Sequence, residues 1–157
     1  VRDLFRPLFA LYQDDETRTY FINVKNGNDP IKARKLIHDG IVSLDDPVKA
    51  EEIAVRVRAK LGLFESLLAE TASRGPFVRG DTASHADLAL WGWYVSSQVN
   101  PNVNALLWHH ESLPNVKLWA EATANATRFV SPFEYVSEER KQEVLEELLA
   151  GVDAARA

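Results

Sequence analysis

Adjacent imidazoles at His109 and His110, followed by Glu111, are the chain's nearest approach to a metal-ligand set. Neighbouring residues on a helix diverge by about a third of a turn, so the two rings do not readily chelate one ion together. His38 stands alone, and His85 falls at the first position of a helix, where solvent reaches it. No metal is expected. Cysteine is absent, which removes a thiol nucleophile, a thiolate metal site and any disulfide framework. Ser96-Ser97 has no identifiable acid–base partner. Gly27, Gly40 and Gly75 are single turn residues and build no phosphate-cradling loop. Asn125-Ala126-Thr127 has the form of a glycosylation acceptor, but it lies near a helix end, and chance is the better account. No catalytic residue is assigned.

The most informative residues are Ser84 and Asp87, within Gly80-Asp81-Thr82-Ala83-Ser84-His85-Ala86-Asp87. Their spacing is that of a capping box. The Ser84 hydroxyl accepts the backbone N–H of Asp87, and the Asp87 carboxylate accepts the N–H of Ser84. The negative charge also suits the positive end of a helix. Both are structural N-cap residues. Removing the cap is expected to cost on the order of 1 kcal/mol, and more in a buried helix. Leu88, Ala89, Leu90, Trp91, Trp93, Tyr94 and Val95 follow, apolar nearly all round, so this helix is expected in the middle of the core.

The elements around it read as helices throughout. Residues 3–14 place Leu4, Phe5, Leu8, Phe9, Leu11 and Tyr12 on one side at helical spacing, with Pro7 early enough to be tolerated. Phe5, Phe9 and Tyr12 fall at i, i+4 and i+7. A second helix spans about 16–24 and stops at Gly27-Asn28-Asp29-Pro30. A short one spans 31–38, closed by Asp39-Gly40. The longest starts at Asp46-Pro47 and carries Ile53, Val57, Leu61, Phe64 and Leu68 as a core-facing stripe. It ends near Ser73-Arg74-Gly75-Pro76. Another starts at Pro114 with Val116, Leu118, Trp119 and Ala122. The last starts near Ser137 with Val144, Leu145, Leu148, Leu149 and Val152 on one face. Residues 130–136 are the one strand candidate, against which Pro132 argues.

Composition bounds the rest. The 157 residues suffice for one domain with a substantial core. A net charge of −5 without a dense basic run argues against a nucleic-acid partner. No apolar stretch approaches membrane-spanning length and no signal peptide opens the chain, which tilts the expected location to the cytoplasm. There is no methionine, and helix-like sequence starts at Val1, so the chain is expected to be a piece of a longer or processed product.

A long helix, then Gly75-Pro76-Phe77-Val78-Arg79-Gly80-Asp81, then Ser84-His85-Ala86-Asp87, a buried aromatic helix, and Leu113-Pro114-Asn115-Val116-Lys117-Leu118-Trp119 occur in that order. This set resembles the C-terminal, all-helical domain of glutathione S-transferases, best over 46–128. Asp15-Glu16-Thr17-Arg18-Thr19-Tyr20-Phe21 looks more like fungal members related to bacterial β-etherases. Those often show arginines after the Tyr-Phe, where this chain has Ile22-Asn23-Val24-Lys25. The resemblance implies a helical bundle around a capped, buried central helix. It also implies that a thioredoxin-like N-terminal domain, which this chain lacks, binds glutathione and activates its thiol.

By the same resemblance the first helix faces the substrate cleft. Phe5, Phe9 and Tyr12 would then form a wall for a hydrophobic small molecule, with the Tyr12 hydroxyl as a polar handle. Ordinary core packing is the competing account for each ring. Arg2 and Arg6 would meet an anionic ligand at that edge or be solvated surface charges. The family implies a homodimer, and the lack of a membrane-spanning apolar stretch leaves no membrane partner expected.

Three functions are compatible with the residues. One is the substrate-side domain of a glutathione S-transferase, active in conjugation or ether cleavage only with its thiol-binding half. Another is a non-catalytic protein–protein interaction module. The third is a stand-alone protein that binds or cyclises a hydrophobic metabolite without glutathione.

Overall fold

The computed structural model describes residues 1–25 and 29–154, so Gly27 and Asn28 of the expected stop signal lie outside the described residues. The fold is all-helical. Among the described residues no strand forms: bridge pairing is confined to Phe77 and Gly80, and 130–136 has no regular structure. None of the described helices is long and apolar enough to cross a membrane.

The chain divides into two compact units, one made of Val1–Phe5 and Val48–Phe133, the other of Arg6–Pro47 and the described residues from Glu134 onward. The second unit is built from α1 (Phe9–Tyr12), α2 (Asp15–Lys25), α3 (Pro30–Asp45) and α7 (Glu138–Ala154). Asp14 starts α2 by accepting the Thr17 N–H at 2.7 Å, and Asp29 starts α3 by accepting the Lys32 N–H at 2.9 Å, with Pro30 at its first position. α3 and α7 pack along each other. Ile41 and Leu44 of α3 are buried, as are Val144, Leu145, Leu148 and Val152 of α7, while Leu149 is half exposed.

Three expectations about these elements need correction. The stretch expected as one helix over 3–14 is broken into two 3₁₀ turns, Arg2–Leu4 and Arg6–Leu8, and the single turn of α1. Pro7 has no N–H to give to Asp3, and the chain restarts at Arg6 after Phe5 turns out of the helix at φ −147°. Phe5 therefore lies outside the helical turn that carries Phe9 and Tyr12.

The helix expected to close at Gly40 runs on to Asp45. Gly40 is there because Pro7 packs onto it: a Cβ would lie 2.4 Å from the proline Cγ. Gly40→Ala is expected to destabilise the chain by about 1–2 kcal/mol, since a rigid ring must move. Gly62→Ala, with open space around its Cβ, should gain about 0.5–1 kcal/mol from helix propensity alone. Urea unfolding of both variants checks the opposite signs.

The first unit is built from α4 (Pro47–Thr71), α5 (His85–Ser97), a π-helical turn (Asn104–Trp108) and α6 (Pro114–Thr127). Val57, Leu61 and Leu68 of α4 are buried as the stripe predicts. The third correction concerns α5. It is buried on one face only, through Asp87, Trp91, Tyr94 and Ser97, while Leu88 is 55% and Trp93 46% exposed. Composition alone marked both faces as core. Trp91 stacks on Tyr94 at 4.3 Å and meets Trp119 and Phe129 edge-on at 6.1 and 5.3 Å. Trp93 lies outside that cluster and meets Phe5 edge-on at 6.1 Å.

Candidate functional site

The capping box forms as its spacing predicts, and its carboxylate does more than cap. Asp87 is fully buried. Its Oδ2 accepts the Ser84 N–H at 2.7 Å and the Ser84 hydroxyl at 2.6 Å. Its Oδ1 accepts the Val78 N–H and the Trp119 indole N–H, both at 3.0 Å. Val78 is delivered by a tight turn in which Gly75 and Gly80 take φ of +144° and +99°. Phe77 and Gly80 close that turn through reciprocal N–H to carbonyl bonds of 3.0 and 2.8 Å. A side chain at Gly75 would put its Cβ 2.4 Å from the Gly80 carbonyl oxygen, so glycine is required there. One buried anion thus ties the turn after α4, the start of α5 and the middle of α6.

The electrostatics follow from this geometry. Burial pushes the Asp87 carboxyl up, and the Ser84 hydroxyl with the Val78, Ser84 and Trp119 N–H groups more than offsets it. The net displacement is downward from 3.8. A carboxylate with four donors stays ionised and has little capacity left to act as a base. Its chemistry is to hold.

A second carboxylate builds the next junction. Leu113 precedes α6 and offers no side-chain cap. Glu65 of α4 supplies one from outside the helix. It accepts the Val116 N–H at 2.9 Å, the Asn115 N–H at 3.1 Å and the Asn115 side-chain amide at 2.5 Å. Glu65 lies off the stripe of Ile53, Val57, Leu61, Phe64 and Leu68, and nothing local marks this role, because its partners lie some fifty residues on. Glu65→Ala should cost about 1–2 kcal/mol, the range of a lost N-cap. Thermal unfolding measures it, and Glu65→Gln, which keeps an acceptor, should recover part of the loss.

The expected substrate wall divides between the units, Phe5 belonging to the first and Phe9 and Tyr12 to the second. Phe5 is 3% exposed, in the first unit against Trp93. Phe9 and Tyr12 are half-buried, three residues apart on α1 of the second unit. The Tyr12 hydroxyl donates to the Glu134 carbonyl at 2.8 Å, and burial pushes its pKa up. Arg2 and Arg6 are exposed.

His109 follows the π-helical turn, its N–H bonded to the Asn104 carbonyl at 2.7 Å, and His110 Nδ1 lies 2.8 Å from the Ser112 hydroxyl. Burial lowers the His109 pKa. Among the described residues no group of three or more His, Asp or Glu side chains is placed to hold a metal ion.

Sequence reasoning missed Arg18, which the second unit buries completely. Its guanidinium donates to the Ala10 and Gln13 carbonyls at 3.2 and 2.9 Å, to Asp15 at 2.5 Å and to Glu147 of α7. The signal in the sequence was limited to an arginine three residues after an aspartate, a pattern shared by many solvated helix faces. Compared with protein-family models, curated proteins and solved structures, the chain matches none.

Proposed function

We propose that this chain is the substrate-side helical domain of a glutathione S-transferase-like protein. It would line a hydrophobic co-substrate pocket for glutathione conjugation or ether cleavage. The observation that carries the reading is the Asp87 network. The three stretches on which the family resemblance rests are the glycine turn, the Ser84–Asp87 box and the segment ending at Trp119. They meet at one carboxylate. Residues that must meet in space have a physical reason to occur in that order. Glutathione would be held by a thioredoxin-like domain outside this chain and would supply the thiol; what these helices contribute is apolar surface.

The test is conjugation of glutathione to an aromatic electrophile by the protein purified from its natural source, beside the isolated chain. Activity in the native protein and none in the isolated chain is the expected result. No activity in the native protein, or full activity in the isolated chain, overturns the proposal. Within the active protein, Phe9→Ala should raise KM for a hydrophobic electrophile about tenfold, the scale of an aromatic contact plus its area, and leave the fold intact. Steady-state kinetics with circular dichroism checks both halves.

One observation favours a second reading, a protein–protein interaction module. Leu88 and Trp93 leave the outer face of α5 apolar and half exposed. Trp93→Ser that abolishes a stable complex in the natural source, with conjugation absent, would select it.

A further inference from the structure

A groove of about 390 Å³ opens in the first unit between the C-terminal end of α4 and α6. Its apolar walls are Leu68, Ala72 and Pro76 on one side and Leu118 and Ala122 on the other. On α6, Leu118, Ala122 and Asn125 follow at i, i+4 and i+7, a stripe distinct from the buried Val116, Trp119, Ala120 and Thr123. Leu118 is 55% exposed, so its apolar surface is available.

The charge in this groove has one sign. Glu121 lines it, and its pairing with Lys117 is long, at 4.0 Å, with both side chains about half exposed. Such a pair holds its members weakly. The last carbonyls of α4 already accept from the Thr71 hydroxyl and from the Ala72 and Arg74 N–H groups, so the preference for a cation rests on Glu121, the charged residue of the lining. An apolar body with a positive head fits both halves of the lining. The volume is that of a small-molecule site.

We infer that this groove binds a small organic cation, a primary amine with an aliphatic or aromatic body. It is independent of the transferase reading, since it uses neither the α1 residues nor glutathione. The test titrates the whole chain with octylammonium and, in parallel, with octanoate, followed by amide chemical shifts. Octylammonium should move the amides of Leu68, Ala72, Leu118 and Ala122 and bind about fivefold more tightly than octanoate, the scale of an exposed ion pair. Glu121→Gln should remove that preference while hydrophobic binding persists, and Ala122→Trp, filling the groove, should abolish both; far-ultraviolet circular dichroism verifies that each variant is folded. Equal binding of the two ligands, shifts elsewhere on the chain, or no binding at all would overturn the inference.

Discussion

Asp87→Ala is expected to destabilise the chain by about 3–5 kcal/mol. Ser84, Val78 and Trp119 together present four donors to this one side chain. Each buried donor left without an acceptor costs on the order of 1–3 kcal/mol, less where water enters the cavity. A local cap alone would cost about 1 kcal/mol, so the measured size separates a hub from a cap. Asp87→Asn should come close to the alanine variant, because its amide group turns two donors toward other donors. The pH dependence has a definite sign. The folded pKa lies below the ordinary carboxylate value. The stabilisation is therefore complete above that ordinary value and is lost as pH falls through the folded pKa. Denaturant titrations should show the difference between wild type and Asp87→Asn shrinking in that acid window and constant at neutral pH.

Arg18→Ala is expected to cost about 2–3 kcal/mol in the second unit, the scale of buried acceptors left unpaired, because the Asp15 and Glu147 carboxylates are 80% and 39% exposed and rehydrate. The loss strands the Ala10 and Gln13 carbonyls and removes the tie between α2 and Glu147 of α7. Arg18→Lys should recover little, since one ammonium cannot reach two carbonyls and two carboxylates spread around a planar fork. Hydrogen exchange of α7 amides reads the effect locally: faster exchange in Val144, Leu145 and Leu148 is expected, with the amides of α5 and α6 unaffected.

What the sequence made legible was local. Ser84 and Asp87 are three residues apart, and a capping box needs no knowledge of the rest of the chain. The stripe of α4 and the buried face of α7 are periodic within one element, and most of their residues are buried, with Ile53 and Phe64 half-buried and Leu149 half exposed. Contacts between distant segments were not legible. Gly40 reads as a helix stop because glycine often is one, whereas here it makes room for Pro7 thirty-three residues earlier. Arg18 carries no local mark of burial, and its Glu147 partner arrives only with the return of α7. α5 reads as buried all round since nearly every residue is apolar, yet Leu88 and Trp93 face outward. Asp87 spans both cases: the cap could be read from spacing, the Val78 and Trp119 bonds could not.

The same division applies to the candidate site. Phe5, Phe9 and Tyr12 were grouped by helical spacing, and Pro7 removes the helix that would have aligned them. The groove beside α6 is not legible in the sequence, since Leu68 and Leu118 belong to helices some fifty residues apart and nothing local brings them together.

The central claim, that these helices are the substrate-side domain of a two-domain glutathione S-transferase-like protein, is tested most directly by the intact mass of the protein from its natural source. The claim predicts a mass above 17.6 kDa by that of a small domain, with a thioredoxin-like sequence upstream of Val1. A mass equal to 17.6 kDa would contradict it, because the thiol-binding half would then be absent from the working protein.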